Sequence, residues 1–194
     1  MINKKSFAAM RKEIETFDAL RETLIKTSRD LLKLSKSAIY SIHRHKISEA
    51  LTQLTKAKTV IKKLKALIKK NSMLANVGAY SEALEEYVEA ACYYGFIKKN
   101  KLPTAKELGV ETTVYLQGVC DLVGELVRKA INSSIKGEFK TALKIREFVA
   151  DIHSELMMFD FRNIPVRRKF DSIKYGLDKL ENLILELKLK KKIK

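Results

Sequence analysis

The chain has 194 residues, of which 46% are hydrophobic, enough for a real core in one domain. It carries 39 Lys and Arg against 23 Asp and Glu, a formal net charge of +16. No apolar run approaches the ~20 residues of a membrane helix, and the N-terminus MINKKSFAAMRKEIETF lacks a signal core and cleavage site, so the expectation is a cytoplasmic protein that does not span a membrane.

Gly and Pro are absent before Gly78, and no alternating strand pattern bounded by turns occurs. The class is all-α. The first helix is predicted from Ser6 to His43, with Phe7, Met10, Ile14, Phe17, Leu20, Leu24 and Leu31 on its apolar stripe. The second runs from Ser48, read as its N-cap, to Lys70, with Leu54, Ala57, Ile61 and Leu64 inward. The third spans Val77 to Lys99. Pro103 opens a short fourth helix that Gly109 ends. The fifth covers Thr113 to Lys136 and stops at Gly137; the sixth covers Glu138 to Phe159. Asn163 and Pro165 start the seventh, which lasts to Leu189. The expected architecture is a bundle of six long helices plus one short one. Residues 1–189 form a single domain in this reading, and residues 190–194 a frayed basic tail. Cys92 and Cys120 sit within helical patterns and read as reduced core thiols.

The charge is unevenly spread. From Asn71 to Ile97 there is no Lys or Arg, yet Glu82, Glu85, Glu86 and Glu89 all fall there. On a helix these acids form one stripe and repel by a few tenths of a kcal/mol per pair. A metal ion or a distant basic residue is expected opposite them. Glu86 and Glu89 share one face of the third helix by their spacing of three; Asp121 and Glu125 share one face of the fifth by their spacing of four. Packed side by side, the two helices would present four carboxylates to one space. Hard cations such as Mg²⁺ or Mn²⁺ take oxygen donors of this kind. Such an ion lowers the pKa of a bound water and neutralises charge on a phosphodiester. Against a buried site, Val119, Val123, Leu126 and Ala130 mark the main apolar face of the fifth helix, and Asp121 and Glu125 lie nearly opposite. That places them at an open cleft or a subunit interface, or simply on a solvated face. Gly118 and Gly124 flank Asp121 mid-helix, at about 1 kcal/mol each relative to Ala. Close approach of a ligand and tight helix packing explain them equally well.

Other chemistry is weaker. No His has the Glu three residues before it that a di-iron bundle requires: Tyr40, Ile42 and Ala150 stand there. Arg146 and His153, seven apart on one face, would suit metal-independent RNA cleavage, but their surroundings have core character. No phosphate loop, nucleophile elbow or zinc signature occurs.

The basic residues point to a polyanion, either nucleic acid or an anionic membrane surface, or else to a merely solvated surface. Lys36, His43, Arg44 and Lys46 gather at the end of the first helix beside Tyr40. Lys62 and Lys63 belong to a basic stripe along the second, and Arg162, Arg167, Arg168 and Lys169 gather at the start of the seventh. Groups of this kind grip phosphates and lose affinity steeply with salt.

The segments EALEEYVEAACYYGFIKKNKL, YLQGVCDLVGELVRKAIN and VRRKFDSIKYGLDKLENLILEL resemble the translin/Trax family, in the family's order. SRDLLKLSKSAIYSIHRH in the first helix is similar to Trax. The resemblance implies a seven-helix subunit of translin type that assembles into a closed octameric shell and binds single-stranded RNA or DNA. Trax-type subunits add Mg²⁺-dependent endoribonuclease activity through acidic residues. Glu86 and Glu89 match the acids of the Trax E-Y-V-E segment; Asp121 and Glu125 match those of its D-L-x-G-E segment. The implied roles are Mg²⁺ or Mn²⁺ held by Glu86, Glu89 and Asp121, with Glu125 completing the catalytic set. The chain is shorter than animal Trax and has a compact connection between the third and fifth helices. Its size and lysine content suit an archaeal-type homologue assembling as a homo-oligomer. The alternative is a non-catalytic single-stranded RNA or DNA binder of translin type.

Overall fold

The first two helices form an antiparallel hairpin because two apolar stripes face each other across a tight turn. In the computed structural model, which describes residues 2–162 and 165–193, α1 spans Lys4–His43 and α2 spans Ile47–Lys70. Asn3 caps α1 by accepting a hydrogen bond from the Ser6 N–H at 3.1 Å. His45, at φ 61°, reverses the chain. Leu24, Leu31 and Ala38 of α1 are fully buried, as are Ala50, Ala57 and Leu64 of α2. At 1.5 Å per residue, α1 is about 60 Å long and α2 about 36 Å. The first turns of α1 therefore extend past the end of α2. A short 3-10 turn, Ser72–Asn76, closes the hairpin, with Asn71 Oδ1 accepting from the Met73 N–H at 3.0 Å.

The remaining helices are α3 (Gly78–Lys99), α4 (Ala105–Leu108), α5 (Thr112–Ile135), α6 (Phe139–Met157) and α7 (Pro165–Leu189). Six long helices and one short one match the sequence expectation, and no strand occurs among the described residues. No helix of those residues is long and apolar enough to cross a membrane. The chain divides into two compact units, Met1–Tyr87 and Val88–Lys194, and α3 runs unbroken through the boundary.

In the second unit α5, α6 and α7 pack on one another pairwise. The core between them holds Leu122, Leu126, Ile145, Ile173 and Leu180, each at most 1% exposed. Phe96 packs on Phe148 at 4.7 Å between ring centres, bringing the end of α3 to α6. Gly109 (φ 66°) and Gly137 (φ 80°) take left-handed backbone where α4 and α5 stop, a conformation that costs other residues roughly 1 kcal/mol or more.

Several predicted boundaries shift. Ser48 is not the cap of α2: the helix starts at Ile47, and Lys46 at the cap position makes no side-chain cap bond. Pro103 does not open α4. Thr104 does, through a capping box in which its hydroxyl takes the Glu107 N–H (3.2 Å) and Glu107 takes the Thr104 N–H (2.6 Å). α6 ends at Met157, where the chain turns and Phe159 stacks on Phe161 at 5.3 Å. Asn163 lies outside the described residues. At the start of the basic tail the Lys190 and Lys192 N–H groups bond to the Glu186 and Leu187 carbonyls.

Candidate carboxylate site on α3 and α5

Packing of α5 between two neighbours decides where its acids point. Because α6 and α7 both lie on α5, more than one apolar stripe is buried, and Gln117, Gly118 and Cys120 go inside with Val119 and Val123. Asp121 and Glu125 are therefore not on a free solvated face; their side chains keep only 34% and 22% of their exposure. Asp121 faces α7, where Lys169 Nζ donates to its Oδ2 at 2.5 Å. Glu125 Oε2 lies 3.9 Å from the Arg128 guanidinium. Gly124, between the two acids, is exposed, and a Cβ placed there would meet nothing within 4 Å. Tight packing within the chain thus does not explain Gly124.

On α3 the acidic stripe splits. Glu85 and Glu89, one turn apart, are each 9% exposed, and the Ser81 hydroxyl donates to Glu85 Oε1 at 2.9 Å. Glu86 is half-buried and Glu82 exposed. One turn beyond Glu89, Tyr93 is fully buried. Burial pushes its hydroxyl pKa well up, the Glu125 charge pushes it further, and Arg128 opposes. Within the second unit, then, α3 comes up to α5 through Tyr93 near Glu125 and through a hydrogen bond between Cys92 and Tyr115.

The donor set fits a hard divalent ion in kind, since every candidate is a carboxylate oxygen. Its arrangement is another matter: among the described residues no group of three or more His, Cys, Asp or Glu is placed to hold a metal ion. Asp121 instead engages the ammonium of Lys169. The distant basic residue expected opposite the acids of α3 is a separate matter; the lysine here faces Asp121 of α5. The sequence groups Lys169 with Arg162, Arg167 and Arg168 as a phosphate grip; in the structure its ammonium engages Asp121. Arg167 also pairs at home, with Asp171 at 3.0 Å.

Among the expected phosphate contacts, Lys36 and Arg44 are exposed on and just beyond α1, His43 is half-buried, and Lys62 and Lys63 are exposed on α2. Lys46 donates to Glu49 at 2.9 Å, so its charge is shared locally. Arg146 and His153 do not form a catalytic pair: Arg146 binds Glu181 at 2.9 Å, and the His153 ring stacks on Phe170 at 5.5 Å. An open apolar cleft of about 290 Å³ lies elsewhere in the second unit, lined by Tyr115, Val119, Phe148 and Ile152, and includes none of the four acids. Sequence reasoning placed Glu85 in the acidic stripe but missed its hydrogen-bond partner, Ser81, one turn before it. It also missed the Asp121 partner, whose signal was a lysine set three and four residues from the buried Val166 and Ile173.

Both thiols are free and buried. Burial pushes Cys92 up to about 12 despite its bond to Tyr115, and Cys120 up to about 12, with Asp121 adding and Lys169 opposing. A folded-state thiol pKa above the unfolded one contributes stability that is intact below about pH 8.5 and is lost as pH rises towards 12. The urea midpoint is expected to fall between pH 8 and pH 10.5. At pH 8, iodoacetamide should modify both thiols at least tenfold more slowly in the native chain than in urea. Equal alkylation rates would contradict the burial assignment.

Translin-associated protein X of Rattus norvegicus is 24% identical over 226 aligned positions, covering 95% of this chain and 78% of that protein. The solved structure of apo-NeC3PO superposes with a TM-score of 0.86 at 30% identity, covering 95% of this chain and 97% of the other. The structure of an AfC3PO–duplex RNA complex superposes with a TM-score of 0.86 at 29% identity and the same coverage. The Translin family profile matches residues 19–191, nearly the whole of the sequence, and the chain belongs to that family.

Proposed function

We propose that this chain is a divalent-metal-dependent endoribonuclease that binds and cleaves single-stranded or partly unpaired RNA within a cytoplasmic homo-oligomer. The observation that carries the proposal is Asp121, a half-buried carboxylate already gripping a cation, with Glu125 one turn away and open space at Gly124 between them. The C3PO neighbour described with duplex RNA supports RNA as the polymer. The octameric shell and the choice of Mg²⁺ or Mn²⁺ rest on the family resemblance.

Glu86, Glu89 and Asp121 would hold the ion. When bound, it would supply charge neutralisation at the scissile phosphate and an activated water. The protein's own groups do the rest. Lys169 must yield Asp121 for that carboxylate to serve as a ligand, and its ammonium is then available to a phosphate oxygen. Glu125, restrained by Arg128, orients the attacking water by accepting a hydrogen bond. Gly124 leaves room for a backbone to approach the acids. The exposed lysines of α2 hold phosphates without reading bases.

The second reading is a non-catalytic single-stranded RNA or DNA binder. One observation favours it: no three of the candidate ligands are assembled among the described residues, and Lys169 offsets the Asp121 charge. Labelled single-stranded RNA incubated with the purified chain distinguishes the two. Cleavage with Mn²⁺ or Mg²⁺ that stops in EDTA is expected. Salt-sensitive binding without cleavage at saturating Mn²⁺ would establish the binder instead.

A further inference from the structure

The same lane of α1 that packs on α2 continues, uncovered, towards the N-terminus. Met10, Phe17, Leu24, Leu31 and Ala38 recur every seven residues. The last three are fully buried, because α2 covers them. Earlier in the helix the cover is missing: Phe7 is 49% exposed, Met10 52% and Ile14 61%. Phe7, Met10, Ile14 and Phe17 keep the three–four spacing of a coiled-coil seam. Large apolar side chains in unbroken register on a projecting helix mark an interaction surface, not scattered surface residues.

Charge on this arm is divided end to end. Lys4, Lys5, Arg11 and Lys12 are all basic, with no acid among residues 4–12. Glu13, Glu15, Asp18 and Glu22 follow, with a single base, Arg21, which pairs with Glu22 at 3.7 Å. Laid parallel against a copy of itself, the arm would set four bases against four bases. Laid antiparallel, it sets the basic half against the acidic half twice over, by two-fold symmetry. An unrelated helix would have no reason to match both the seam and this polarity.

We infer that the α1 arm, from Phe7 to Phe17 and its flanking charges, pairs antiparallel with the same arm of a second copy of this chain. The inference rests on the assembly proposed above for the presence of several copies, and on the arm alone for where they touch. The acids of α3 and α5 play no part in it.

Two full-length charge variants test it. One carries K4E, K5E, R11E and K12E; the other carries E13K, E15K, D18K and E22K. Ile14→Asp tests the seam, and circular dichroism checks that each variant stays helical. Light-scattering mass is the readout. An oligomeric wild type is expected, with mass at least halved in Ile14→Asp and in each charge variant alone, and restored when the two charge variants are mixed. A monomeric wild type would overturn both the assembly and the pairing. An oligomeric wild type with unchanged mass in all three variants would overturn the pairing and leave the assembly standing. Lower mass in the variants without restoration on mixing would overturn the antiparallel arrangement.

Discussion

Asp121→Asn is expected to lower RNA cleavage at least 10²-fold while leaving RNA affinity within about twofold. The amide keeps the size of the carboxylate and removes only its charge. As a ligand it loses most of its attraction for a hard cation, and losing even an outer-shell partner of a metal site costs roughly 10–100-fold. The fold should tolerate the change. The Lys169–Asp121 pair is about one-third exposed on both sides, so solvent screens it and its worth to stability is on the order of 1 kcal/mol or less. In the proposed reading RNA affinity rests on other groups, the exposed lysines of α2 and the end of α1. Releasing Lys169 from its acid makes the second unit one charge more positive, which favours binding if it changes it at all. Single-turnover cleavage of labelled RNA, with filter binding of the same RNA in EDTA, measures both quantities. Equal loss of cleavage and binding in a folded variant would contradict this division of roles.

The helices were legible because this sequence punctuates them plainly. Gly109 and Gly137 adopt the left-handed backbone that ends α4 and α5, and Pro165 begins α7. The cap at Ser48 was misread because a favoured cap residue stands one place too late; the turn at His45 already sets the start of α2. The 3-10 turn at Ser72–Asn76 carries no apolar period and depends on one Asn71 side-chain bond, so periodicity passes over it. The Lys169–Asp121 pair was illegible for a different reason. Forty-eight residues separate the partners, and Lys169 adjoins two arginines that suggest a shared role. Only the packing of α7 on α5 separates it from them. A single helix wheel likewise leaves the surroundings of Asp121 open, because a helix packed on two neighbours has partly buried residues opposite its main stripe.

Of three mid-helix glycines, two should lose stability on substitution by alanine and one should gain it, and the contrast bears on the site. On propensity alone each substitution would stabilise its helix by about 1 kcal/mol. At Gly95 in α3 a Cβ would stand 2.5 Å from the Lys101 carbonyl oxygen and 3.0 Å from Pro103 Cδ. Backbone and a proline ring cannot step aside cheaply, so Gly95→Ala is expected to destabilise by about 1–3 kcal/mol. At Gly176 in α7 the nearest atoms are a Val123 methyl at 2.9 Å and a Val127 methyl at 3.4 Å, both on buried, β-branched side chains, so Gly176→Ala is also expected to destabilise, by less than at Gly95 because no backbone is struck. At Gly124 nothing intervenes, and Gly124→Ala should stabilise by about 1 kcal/mol. Urea denaturation of the three variants reads all three signs. Destabilisation at Gly124 would point to packing by another chain, since no neighbouring element among the described residues comes within 4 Å of a Cβ there. Stabilisation with loss of cleavage would mean that the gap beside Asp121 and Glu125 is where substrate comes close. Gly124 is exposed and lies one turn from Asp121, so the paired measurement of stability and cleavage separates a packing role from a role at the acids.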